Sequence, residues 1–137
     1  EAMARLLPQL SRSAAPMSEA DVQRFLSQPG VHLFVFRSDA ADTEGNRPIL
    51  GMLSLATFEI PTGVRAWVED VVVDEAARGH GAGQSLVVAA IEHAKKVGAR
   101  TVDLTSRPSR EAANRLYQRA GFKLRETNVY RVTLEQK

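Results

Sequence analysis

The chain has 137 residues, 44% hydrophobic and 25% charged, without cysteine; this fits one soluble globular domain with a real core and excludes disulfides and thiolate metal sites, a cytoplasmic setting being expected. No apolar run reaches the roughly 18 residues of a bilayer crossing, no signal peptide is visible, and no basic run alternates with aromatics, so neither membrane nor nucleic acid is expected as a partner. Net charge is +2 but uneven: residues 1–76 carry 6 Lys and Arg against 11 Asp and Glu, residues 77–137 carry 12 against 5, so the second half suits an anionic ligand and the first attracts cations.

EAMARLLPQL spaces Met3, Leu6, Leu7 and Leu10 as a helix does, with Pro8 weakening its end. MSEADVQRFLSQPG predicts a second helix. Ser18 is its N-cap, Asp21 stands at the capping-box position, Val22, Phe25 and Leu26 form the stripe, and Pro29-Gly30 is the stop. VHLFVFRS is a strand and DAADTEGNRP a polar loop; ILGMLSLATFEI and VRAWVEDVVV are long strands that the short PTG turn joins as an antiparallel hairpin. After DEAARGHGAG, QSLVVAAIEHAKKVG repeats apolar residues at three and four and ends at Gly98. TVDLTS is a short strand, and SREAANRLYQRAG a helix with Ser109 as N-cap and Gly121 as stop. FKLRE and NVYRVTLE are closing strands about a turn near Thr127-Asn128. The order α-α-β-β-β-α-β-α-β-β gives one domain over 1–137, of mixed α/β (α+β) class, whose sheet cannot be wholly parallel.

The loop RGHGAG carries the first chemical signal. A Walker loop needs a lysine after its glycines, and a dinucleotide fingerprint needs a third glycine where Gln84 or Leu86 stands. What remains is Arg-x-x-Gly-x-Gly, Arg78 to Gly83, between a strand and a helix N-terminus. Positions without side chains let backbone N–H groups converge, and the helix start adds unpaired amides and the positive end of its dipole. A pyrophosphate suits that cradle, with Arg78 and His80 beside it.

VVVDEAARGHGAGQSLV resembles motif A of the GNAT superfamily of acyl-CoA N-acyltransferases, and SREAANRLYQRAGF resembles its motif B; VEDVVV also looks like the small glucosamine-phosphate N-acetyltransferase branch. The resemblance implies a central mixed, mostly antiparallel sheet flanked by helices, here without the strand with which the family fold usually opens. It implies acetyl-CoA as co-substrate and no metal. The pyrophosphate would lie on Arg78, Gly79, His80, Gly81, Ala82, Gly83 and Gln84. The pantetheine arm would pair with the backbone of Val71, Val72 and Val73, with a backbone N–H near Val71 polarising the thioester carbonyl.

Acyl transfer to an amine needs a group that takes a proton from the amine and one that gives a proton to the thiolate. The resemblance puts Tyr117 near the cofactor sulfur as acid and Asn114, three residues earlier on the same helix face, near the pantetheine arm. Glu69 and Asp70 are the candidate bases. Strand alternation favours Glu69, which would share a face with Val71 and Val73, although the family often has a bulge there. His80 and His93 are expected as loop and solvent-facing helix residues, and His32 near a strand start. The expected activity is direct transfer of an acetyl group from acetyl-CoA to a primary amine in a ternary complex; the alternative is a non-catalytic acyl-CoA-binding sensor. The acceptor, a small molecule or a peptide amine, would be shaped by residues 1–30 and 38–48, EIPTGVR and RETNVY, none of which holds a decodable motif. Homodimers are common in the family.

Overall fold

A computed structural model describes residues 2–11, 14–79 and 81–134. Helices α1 (Ala2–Leu10) and α2 (Glu19–Leu26) come first, then strands β1 (Val31–Arg37), β2 (Ile49–Ile60) and β3 (Gly63–Val73). A 3-10 turn (Glu75–Ala77) leads to α3 (Ala82–Lys96), β4 (Ala99–Asp103) and α4 (Glu111–Arg119). The sheet order is β1-β2-β3-β4, antiparallel except for the β3–β4 pair. Among the described residues no strand precedes α1, and no helix is long and apolar enough to cross a membrane.

The local signals act as their chemistry dictates. Ser18 Oγ accepts from the Asp21 N–H, and the Ser18 N–H donates to Asp21 Oδ2, both at 3.0 Å, closing the capping box of α2. Pro8 does not end α1, which runs on to Leu10. Pro61 and Thr62 make the tight β2–β3 turn, since Ile60 pairs with Gly63. Ser109 is not the cap of α4: Arg110 holds that position and no side chain caps the helix. Instead the Asn114 amide, one turn in, donates to Arg107 O at 2.9 Å.

Apolar alternation divides the core between the two sheet faces. Leu53, Leu55, Ala66 and Val68 pack with Leu86, Val87, Ala90 and Ala94 of α3 and Tyr117 of α4. Met52 and Val72, on the other face, pack with Leu6 of α1. The two closing strands expected at FKLRE (122–126) and NVYRVTLE (128–135) do not form: among the described residues, 122–134 hold no strand and join no sheet, and Glu135 lies outside the described residues. Period-two alternation there favours a strand, but a strand forms only where its backbone pairs with a neighbour, and 122–134 pair with none among the described residues.

Candidate active site

β2 accompanies β3 as far as Val73, but β4 pairs with it only over Val64–Trp67. Beyond Trp67 the two parallel strands part. From Val68 to Val73, β3 therefore has no strand on its β4 side among the described residues, and the N–H and C=O groups directed there are open to an extended ligand.

A bulge interrupts β3 within that stretch. Ser54 pairs with Glu69 and Met52 with Val72, so Asp70 and Val71 together oppose Leu53. Asp70 has φ 52°, the one positive φ at a non-glycine position among the described residues; aspartate is among the few side chains that tolerate the left-handed region. The bulge inverts the alternation. Ala66 and Val68 face α3 before it, and Val71 and Val73 do so after it. Glu69 therefore shares a face with Trp67, whose indole Nε1 donates to Glu69 Oε2 at 2.6 Å, and not with Val71 and Val73 as uninterrupted alternation predicts. The expectation that favoured Glu69 on that ground is corrected. Asp70 stays open to solvent on one side, while partial burial on the other pushes its carboxyl above 3.8; the neighbouring Glu69 charge adds to the shift.

β3 runs directly into the glycine loop. Asp74 caps the 3-10 turn by accepting from the Ala76 N–H at 3.0 Å and is ion-paired with Arg5 of α1. Gln9 Oε1 accepts from the Glu75 N–H at 3.2 Å, so α1 holds this turn at two points. The Ala76 amide and then Arg5 keep the Asp74 carboxyl below its usual value. Gly79 and Gly81 have φ 86° and 74°, and a Cβ at either would meet open space. Gly81 is the N-cap of α3; among the described residues no side chain caps that helix, and its first turn holds no acid. The amides of Ala82, Gly83 and Gln84 are thus without intrahelical partners at the positive end of the helix dipole. Gln84 Oε1 is buried with no partner among the described residues. Gly83 has an additional reason to be glycine: a Cβ there would lie 2.9 Å from Leu116 Cδ1 of α4. Arg78 is exposed beside the loop. His80 lies outside the described residues.

Tyr117 is 8% exposed, in the same core against which Val71 and Val73 pack, with its ring edge-on to Phe122 at 5.9 Å. Its hydroxyl has no hydrogen-bond partner among the described residues; burial pushes it above 10.0, opposed in part by the Arg110 charge. Tyr117 and Asn114 line a cleft of about 880 Å³ with Trp67, Thr101, Ser106 and Phe122. Val71–Val73 and the glycine loop do not line it. They meet α4 through the shared core and through Leu116 over Gly83. Trp67 and Arg110 were not among the expected site residues. The i, i+2 spacing of Trp67 and Glu69 was the legible signal, since such residues share a strand face.

His93 faces inward, not solvent. Its ring lies 4.3 Å from that of His32 and 5.8 Å from that of Phe34, and burial, followed by the charges of His32 and Lys96, lowers its pKa below 6.5.

The sequence model of the acetyltransferase (GNAT) family matches residues 2–122. The chain is a GNAT acetyltransferase. A search of curated proteins returned no match. Among solved structures, this GNAT chain is similar to an acetyltransferase of Trypanosoma brucei, at 27% identity over 97% of this chain and 91% of that one, with a TM-score of 0.77. It is also similar to a chain described as a transcriptional regulator from Bacillus halodurans C-125, at 31% identity over 82% of this chain and 72% of that one, TM-score 0.65. The glucosamine-6-phosphate N-acetyltransferase of Arabidopsis thaliana shares the fold, at 22% identity over 93% of this chain and 86% of that one, TM-score 0.74. GNAT enzymes use acetyl-CoA as co-substrate.

Proposed function

We propose that this enzyme transfers an acetyl group from acetyl-CoA to a primary amine by direct attack within a ternary complex. One observation carries the reading: the open edge of β3, Val68 to Val73, runs straight into an uncapped helix N-terminus bearing two left-handed glycines. The residues present fit coenzyme A. The cradle is side-chain-free where amides must converge, it lacks carboxylates in the first helical turn, and Arg78 flanks it. Arg78, Gly79, His80, Gly81, Ala82, Gly83 and Gln84 hold the pyrophosphate. The backbone of Val71, Val72 and Val73 pairs with the pantetheine arm. Asn114 retains Oδ1 and one N–H for the same arm after its bond to Arg107 O.

In the transfer, the amine nitrogen bonds to the thioester carbonyl carbon and the carbon–sulfur bond breaks. The Val71 N–H stabilises the oxyanion. Asp70 takes the proton from the amine, because its raised pKa makes it a better acceptor than an ordinary carboxylate and no donor among the described residues ties it down. Glu69, engaged by Trp67, draws the cationic amine toward the site. The Tyr117 hydroxyl, held protonated by its raised pKa, gives its proton to the departing thiolate and recovers one from solvent.

The acidic pair supports a cationic amine as acceptor, and the fold shared with the glucosamine-6-phosphate enzyme makes amino sugars a class to test. The experiment is thiol release from acetyl-CoA over a panel of amino sugars, polyamines and peptide amines, with Tyr117→Phe in parallel. Turnover on one class, cut by Tyr117→Phe, is expected. Tight acetyl-CoA binding without turnover on any amine would overturn the reading.

A further inference from the structure

Trp67 is the chain's only tryptophan, and it stands on the last rung before the sheet forks. It opposes Ala56 of β2 and Asp103 of β4; beyond it the β4 side of β3 is open among the described residues. Among those residues Trp67 is also the one member of β3 that lines the Tyr117 cleft. Its indole N–H runs along its own strand to Glu69 Oε2, 2.6 Å away. One side chain thus touches both the cleft of the proton donor and the carboxylate that precedes Asp70.

The donor is neutral, and that decides what Glu69 can do. An Arg or Lys partner would fix the carboxylate and cancel its charge. Indole only donates, so it fixes Glu69 and leaves the whole negative charge for a ligand. Arg65, the cation two residues earlier on the same face, donates instead to Thr62 Oγ1 at 2.8 Å. Among the described residues no ion pair reaches Glu69, and Oε1 has no donor. Glu69 is exposed, and a long exposed side chain loses rotamer freedom each time it meets a ligand. Trp67 sets that rotamer in advance, from a position inside the sheet rather than on a loop.

We infer that Trp67 is a positioning residue for the acceptor: it holds Glu69 in the orientation that receives the ammonium group of the incoming amine beside Asp70. Oε2 is committed to the indole, and Oε1 takes the ammonium. The site therefore selects the charged form of the acceptor over a neutral molecule of the same shape, and the proton is given up only after docking. The inference rests on the acetyl-transfer reading and adds to it the residue that sets acceptor affinity.

The test is a double-mutant cycle on the full chain. Trp67→Phe keeps a ring and removes the N–H. With the best acceptor of the amine panel it is expected to raise the amine KM roughly threefold to tenfold, with kcat and the acetyl-CoA KM within about twofold. In a Glu69→Ala background the same substitution is expected to move the amine KM by less than about twofold, because the group it acts through is gone. The single indole gives a second readout that needs no turnover. Its emission is expected to change saturably with n-butylammonium in the wild type, not with n-butanol, and with neither in Glu69→Ala. Equal KM losses in the two backgrounds would overturn the inference, as would a loss confined to kcat or to the acetyl-CoA KM. A wild-type chain that turns over no amine removes the acetyl-transfer reading. The emission titration then decides for Trp67 alone, and an emission that n-butylammonium leaves unchanged would overturn its role.

Discussion

Replacing Gly81 by aspartate or by asparagine separates the loop's role in folding from its role in binding. Gly81 sits at φ 74° with open space where a Cβ would project, so either residue meets strain and no clash. The left-handed conformation costs a non-glycine residue about 1–2 kcal/mol, and Asn and Asp tolerate it alike. Both variants should therefore melt several degrees below wild type. Aspartate at the N-cap of α3, an otherwise uncapped helix, should be at least as stable as asparagine. Affinity moves the other way. A carboxylate roughly 7 Å from one phosphate charge, at an effective dielectric of about 20–40, opposes binding by about 1.2–2.4 kcal/mol, or roughly eightfold to sixtyfold. The assay is the KM for acetyl-CoA in the thiol-release reaction at low and high salt, beside thermal melts of both variants. The expected result is a KM for Gly81→Asp well above that for Gly81→Asn, with the gap narrowing in salt. Equal KM values for the two would refute the phosphate cradle and leave the glycines as turn residues.

Other expectations follow from the same geometry. Asp70→Asn should lower kcat by about 10²–10³-fold and remove the acid limb of the kcat/KM profile, whereas Glu69→Gln, which still accepts from Trp67, should cost about tenfold or less. A carboxyl raised above 3.8 in the fold favours the protonated state, so its stability contribution is full at acid pH and lost as pH rises through the folded value; Asp70→Asn should accordingly raise Tm at pH 7 while it lowers activity. Tyr117→Phe removes a hydroxyl that bonds to no described residue, so kcat should fall by about 10²-fold with Tm nearly unchanged, as calorimetry would show. Asp74 has the opposite shift, giving stability that is present above 3.8 and lost as pH falls through its lower folded value. Asp74→Asn should cost about 1 kcal/mol at pH 7 by urea titration and almost nothing near pH 2.

The elements that carry the cofactor reading were legible because local chemistry alone specifies them. The β2–β3 hairpin follows from alternation and the Pro61-Thr62 turn, α3 from its apolar spacing, and the loop from glycines whose φ no other residue adopts easily. Where the outcome depended on partners, the sequence was silent or misleading. Ser109 has the chemistry of a cap, yet α4 begins two residues later. His93 sits on a charged helix beside Glu92, Lys95 and Lys96, but β1 brings His32 and Phe34 against its ring. The tail has a strand's pattern, yet among the described residues it pairs with no strand. Alternation favours Glu69 over Asp70 only if it is counted through the bulge, which the register shift between Met52 and Ser54 reveals.

That bulge has a consequence for how the carboxylate came to be there. If Asp70 is struck out, Val68, Val71 and Val73 alternate without a break against Glu69 and Val72, and every apolar side chain keeps its present layer. The strand thus holds a complete packing pattern with one residue spliced into it. Scaffold and acid are separable modules in β3: the fold can be inherited without the carboxylate, and the carboxylate can be gained or lost by a single codon without redrawing the core.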